Sequence, residues 1–169
     1  MKVQLEDIYK MYINDLYRYL YSLSKDHYMA EDLVQEAYYR AFIALEEDEI
    51  VNIKAWLFKV AYHAFIDYQR KSKRVHIESQ MEKHIVPNQR TPEKSVLEKE
   101  SLRLLFEDLG VLKEMEKHAV VLCDLHGLPY QEAAKILGLN LNTFKSHLFR
   151  GRKKLLALVK ERMSRDEGQ

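Results

Sequence analysis

The chain is expected to be all-α, built as two small helical domains joined by a flexible linker. Three observations lead there. Apolar residues recur at spacings of three and four through most of the 169 residues, and no stretch alternates with strand period. Only five glycines and three prolines punctuate that pattern. From Val75 to Arg90 the periodicity collapses into VHIESQMEKHIVPNQR, a run with too little apolar surface to order itself. The chain therefore divides into residues 1–74, a tether over 75–91 and residues 92–169.

Taken in order, Val3 to Leu23 carries Leu5, Ile8, Tyr12, Leu16 and Leu20 on one face of a first amphipathic helix. Asp26 can cap a second helix from His27 to Leu45, and Asn52 a third that begins at Ile53 and ends at Arg74. After the tether, Thr91-Pro92-Glu93 restarts structure. It supplies a capping hydroxyl, a proline at the first helical position and a carboxylate near the positive helix end. A fourth helix to about Asp108 and a fifth from Lys113 to His126 follow.

The segment from Gly127 to Leu155, GLPYQEAAKILGLNLNTFKSHLFRGRKKL, is the most informative. Pro129 suits a helix start, and Ala133, Ala134, Ile136 and Leu137 give a small apolar inner surface. Gly138 can take the left-handed conformation that stops this helix, and Asn140 or Asn142 can cap the next. There Leu141, Phe144, Leu148 and Leu155 face inward, leaving Lys145, Ser146, His147, Phe149, Arg150, Arg152 and Lys153 outside. A cationic, hydrogen-bonding helix held at a fixed angle by a partner helix fits a DNA major groove.

Bulk chemistry narrows the function. Lysine and arginine number 27 against 26 acidic residues, for a net charge of +1, so DNA affinity must come from local patches. Those patches are Arg70, Lys71, Lys73 and Arg74, and then Arg150 through Lys154; Glu46 to Glu49 form an opposing acidic run, read as a solvated loop. Cys123 is the only cysteine, which excludes an internal disulfide and suits a reducing compartment as a small core residue. No apolar run approaches the roughly 20 residues that cross a bilayer, and no signal-peptide pattern opens the chain; a soluble cytoplasmic protein is expected. His63 and Asp67 have a legal metal spacing but no companion ligands, and His27, His76, His84, His118 and His126 are scattered and read as surface or satisfied polar residues. Neither a metal, a cofactor nor a catalytic nucleophile is expected. Asp67 is expected to pair with Lys71 at i+4.

Three ordered motifs now carry a resemblance. AEDLVQEAYYRAF at Ala30–Phe42, WLFKVAYHAFID at Trp56–Asp67 and LPYQEAAKILGLNLNTFKSHLFRGRKKL at Leu128–Leu155 are similar to segments of the extracytoplasmic-function group of bacterial RNA polymerase sigma factors. The resemblance runs over nearly the whole chain. It implies a sigma domain 2 over 1–74 and a sigma domain 4 with a helix-turn-helix over 92–169. The first motif resembles the family's polymerase-binding helix. Asp32, Gln35, Glu36 and Tyr39 share one helical face and would dock on the clamp helices of the β′ subunit, with the β subunit also in contact. The second resembles the segment that opens and reads the −10 element. Trp56, Tyr62, His63, Gln69, Arg70, Lys73 and Arg74 interleave aromatic faces and cations, the chemistry that holds a displaced strand. The third resembles the −35 reader. Arg150 could reach guanine bidentately, Phe149 could pack on a thymine methyl, and Lys145 and Ser146 match other contacting positions. Arg152, Lys153 and Lys154 would anchor phosphates.

This chain departs from the family pattern at His63, usually Asn, at Asn142, often Gly, at His147, often Arg, and at Gly151, often Ala. Gly151 should weaken its helix by about 1 kcal/mol relative to Ala. The resemblance further implies control by an anti-sigma factor, often membrane-anchored, acting across the tether. The alternative reading is a stand-alone helix-turn-helix regulator with an N-terminal sensor or dimerisation module.

Overall fold

The computed structural model describes residues 4–45, 50–78 and 96–168. Seven α-helices account for nearly all of them: α1 Leu5–Ser24, α2 His27–Ala44, α3 Ile53–Glu78, α4 Val96–Leu109, α5 Glu114–Val120, α6 Tyr130–Leu137 and α7 Leu141–Glu167. Between α5 and α6 the chain widens into a π-helical turn, Val121–Leu125. No strand occurs among the described residues. The helix start at Thr91-Pro92-Glu93 and the acidic run Glu46–Glu49 lie outside them.

Local chemistry sets the helix boundaries. The Asp26 carboxylate accepts from the Tyr28 and Met29 amides at 2.9 and 3.2 Å, and the Asn52 side chain from the Ala55 amide at 3.0 Å. These satisfy donors that an uncapped helix leaves unpaired. α3 does not stop at Arg74 but continues to Glu78, so the tether begins as helix. Pro129 is the residue before α6 rather than its first member, with an extended backbone.

In the first module α1, α2 and α3 pack around Leu16, Tyr19 and Leu20 from α1, Leu33, Ala37 and Ala41 from α2, and Leu57, Phe58 and Ala61 from α3, all buried. Each set recurs at helical spacing, which turns one stripe of each helix inward. In the second module α7 lies across α5 and α6, with Phe144 and Leu148 wholly buried beneath it. The Asp108 carboxylate, at the end of α4, receives the Arg162 guanidinium, one of the two hydrogen bonds being 2.8 Å, and ties the far end of α7 to the module.

The modules are docked on each other. His126, following the π-turn, inserts between Tyr19 of α1 and Phe58 of α3, with ring centroids 5.6 and 4.8 Å away. Its carbonyl accepts from the Lys54 ammonium at 2.6 Å. His118 of α5 meets the Tyr62 ring edge-on at 5.4 Å, and Tyr21 meets Phe106 at 5.2 Å. The expectation that these histidines are surface or satisfied polar groups is corrected. His118 is only 1% exposed, and neither ring nitrogen has a hydrogen-bond partner. Burial pushes both imidazoles below their ordinary range, His126 to about 4, because a charged ring would lose its hydration there.

Candidate polymerase and nucleic-acid interfaces

α2 sorts its residues as its 3.6-residue period requires. Leu33, Val34, Ala37, Tyr38 and Ala41 are buried, while Asp32, Gln35, Glu36 and Tyr39 are exposed on the opposite side. Phe42 and Ile43 extend that outer face with two further exposed apolar side chains, which sequence periodicity alone had not singled out. The Glu36 carboxylate is held by Arg40 Nε at 3.1 Å, and Arg40 Nη1 reaches Asp67 of α3 at 3.0 Å. Asp67 is thus engaged across the module rather than with Lys71.

Along α3, His63, Arg70, Lys73 and Arg74 are exposed, and Trp56 and Gln69 are half-buried. Tyr62 differs from its neighbours. It is 7% exposed, covered by His118 of the second module, and burial raises its phenol pKa. The docked arrangement therefore hides one of the aromatic groups suited to receive an unstacked base.

The helix-turn-helix is built as its sequence requires. Gly138 closes α6 in the left-handed region at φ 68°, where a side chain would be strained. Asn140, not Asn142, caps α7, accepting from the Thr143 amide at 2.8 Å. Ser146, Phe149, Arg150 and Lys153 are exposed, and Lys145, His147 and Arg152 half-buried. Phe149 stands out, a phenyl ring 62% exposed among cations.

Two of these cations do not project freely. Arg152 turns back to Asp124 of the π-turn, donating from Nε at 2.9 Å and from Nη2 at 2.7 Å, and lies over the Tyr130 ring at 5.7 Å. Arg150 lies between His147, 3.2 Å from its Nη2, and Glu116 of α5, 3.5 Å from its Nε. Glu116 is 1% exposed and also takes Lys154 Nζ at 2.6 Å and its own N-cap amide at 3.1 Å. The Lys154 bond holds its carboxyl below the usual carboxylate range. Sequence reasoning missed Glu116 and Asp124, because each reads as an ordinary surface carboxylate until distant segments meet.

Gly151 explains how they meet. A Cβ there would lie 2.9 Å from Val120 Cγ2 and 3.1 Å from the Glu116 carbonyl oxygen, so only a glycine allows α7 this close to α5. The expected loss of helix propensity is exchanged for a tight crossing. Cys123 is a half-buried free thiol whose pKa rises to about 11 through burial, which makes it a poor nucleophile. No cluster of potential metal ligands occurs among the described residues, and none of their helices is long and apolar enough to cross a membrane.

Known families account for both modules. Residues 8–75 match sigma-70 region 2, and residues 108–155 match sigma-70 region 4. Over 156 residues the chain is 40% identical to the ECF RNA polymerase sigma factor SigM of Bacillus subtilis, covering 91% of this chain and 94% of that protein. The chain belongs to the extracytoplasmic-function group of sigma-70 factors. It is a transcription initiation factor, with core RNA polymerase and promoter DNA as its partners. The sigma factor RpoE from Bartonella quintana, solved in complex with the anti-sigma factor NepR, superposes with a TM-score of 0.73 at 27% identity, covering 92% of this chain and 96% of that one. CnrH, solved with the cytosolic domain of CnrY, shares the fold at a TM-score of 0.69 and 22% identity. A stand-alone regulator would leave the region 2 match without a purpose.

Proposed function

We propose that this sigma factor divides initiation among three helices. The outer face of α2, with Asp32, Gln35, Glu36 and Tyr39, binds the β′ clamp helices of core polymerase. α3 melts and reads the −10 element through Trp56, Tyr62, His63, Gln69, Arg70, Lys73 and Arg74. α7 reads the −35 element through Lys145, Ser146, His147, Phe149 and Arg150, with Arg152 and Lys153 near the backbone. Residues 1–74 and 92–169 act as sigma domains 2 and 4, and residues 75–91 as the tether between them. The protein performs no catalysis of its own and works in the cytoplasm. An anti-sigma factor regulates it, as one is bound to the RpoE neighbour.

The observation that carries this reading is the exposed cationic face of α7, with Phe149 in its midst, standing on a glycine-tight helix pair. Geometry adds a requirement. Centres about 25 base pairs apart at 3.4 Å each are separated by roughly 85 Å. A compact chain of this length has a radius of gyration of only about 15 Å. The docked modules must part before both elements are held at once, which also uncovers Tyr62. Run-off transcription with purified core polymerase and a promoter library tests the reading. Initiation confined to templates with paired −10 and −35 elements is expected, and an unchanged template choice would overturn it.

A further inference from the structure

DNA-reading cations are commonly pictured as reaching freely into solvent, but on α7 Arg150 and Arg152 do not. Glu116 sits on α5 beneath the recognition helix, almost fully buried, with one oxygen bonded by Lys154 and the other facing Arg150. That second oxygen, Oε2, makes no hydrogen bond. Arg150 Nε is the cation beside it, at 3.5 Å. His147 holds the other end of the same guanidinium through Nη2. The Gly151 crossing fixes the distance between α5 and α7 that makes this possible.

We propose that Glu116 is a positioning residue for sequence reading. It orients the Arg150 guanidinium toward a base edge and withholds Lys154 from the phosphates. This inference rests on the reading that α7 contacts the −35 element. A long cation with no internal partner follows the nearest phosphate, and phosphate contacts carry no sequence information. A buried counter-charge opposes that collapse in two ways. It restricts the guanidinium to a narrow range of directions, which bidentate recognition of guanine requires. It also removes one cation from the set that displaces counterions, which lowers binding to any sequence alike. Asp124, bidentate on Arg152, applies the same restraint one residue beyond the glycine.

The test uses the full chain assembled with core polymerase, on promoter duplexes carrying matched or scrambled −35 sequences, across a salt titration. Glu116→Gln keeps the side chain's size and removes its charge. Its ratio of matched to scrambled affinity is expected to fall roughly threefold to tenfold. The slope of log affinity against log salt should steepen by about one as Lys154 joins the phosphate contacts. In an Arg150→Ala background the same substitution should cause no further loss of discrimination, because its effect passes through Arg150. An equal loss in both backgrounds assigns Glu116 a merely structural role and overturns the proposal, as does an unchanged ratio in the single variant. Should Glu116→Gln not fold by thermal melt, Lys154→Gln decides. With the lysine gone, Glu116 engages Arg150 alone, so discrimination should be kept and the salt slope should stay unchanged, because no phosphate contact is lost. A fall in discrimination there overturns the proposal. If Arg150→Ala alone leaves discrimination intact, the −35 assignment itself fails, which is a different outcome from a silent Glu116.

Discussion

The two helices proposed to face DNA treat their positive charges in opposite ways. On α3, Arg70, Lys73 and Arg74 are exposed, and among the described residues none of them is ion-paired. The nearby Asp67 is turned toward Arg40 instead. On α7, Arg150 and Lys154 lean on Glu116, and Arg152 on Asp124. The difference follows the substrate each helix is suited to. A displaced single strand has no fixed geometry, so mobile cations and aromatic faces serve it well. A duplex presents base edges at fixed positions, so a cation that reads them gains from being held.

The largest effect that separates the regions is on folding. Leu148, on the inner face of α7, is wholly buried, and Leu148→Ala should cost about 2–5 kcal/mol. If docking couples the modules, thermal melts followed separately in each should both shift. If only the second module's transition moves, the two fold as separate units despite their contact.

Arg150→Ala comes next, with an expected loss of about 1–3 kcal/mol in promoter binding and relaxed preference at the −35 element. Arg74→Ala on α3 should weaken binding more evenly across sequences and reduce the salt slope by about one. Competition binding against matched and scrambled −35 duplexes measures both. Equal losses on the two duplexes for Arg150→Ala would remove the contrast between the helices.

Docking itself has an acid-sensitive joint. His126 packs between Tyr19 and Phe58, with Asp15, Lys54 and Arg18 as the charges around it, and its pKa is depressed from 6.5 to about 4. Between those values the separated modules bind more protons than the docked ones. Docking is therefore fully favoured above about pH 6.5 and weakens as pH falls toward 4. His118 shifts in the same direction, opposed by Glu114 and reinforced by Lys117. Small-angle scattering should show the radius of gyration growing through that window, and His126→Gln should blunt the change. A radius unaffected by pH would mean that the interface does not depend on neutral imidazoles.

Much of this was legible in the sequence wherever the cause is local. Asp26, Asn52, Asn140 and Gly138 mark helix ends through bonds that span only a few residues. The α2 face was equally legible, since periodicity alone separates Leu33, Ala37 and Ala41 from Asp32, Gln35 and Glu36. What stayed hidden depends on partners far along the chain. His126 lies 72 residues from the Lys54 that grips its carbonyl, and Glu116 lies 38 from Lys154. No spacing rule links such positions. The π-turn was also invisible, because VLCDL reads as ordinary helix.

Gly151→Ala is the smallest effect and the most diagnostic. Helix propensity alone favours alanine by about 1 kcal/mol. Against that, the new methyl would meet Val120 Cγ2 at 2.9 Å and the Glu116 carbonyl oxygen at 3.1 Å, and overpacking of this kind costs about 1–3 kcal/mol. The crowding should win narrowly, lowering stability by about 1 kcal/mol in denaturant melts. The same shift would lift α7 from α5 and lengthen the reach from Glu116 to Arg150, so discrimination at the −35 element should drop together with stability. α3 needs no such crossing beneath its exposed cations, and its −10 preference should be untouched. A stabilised variant with unchanged discrimination would mean that α7 settles elsewhere and that the tight crossing is not what holds its arginines in place.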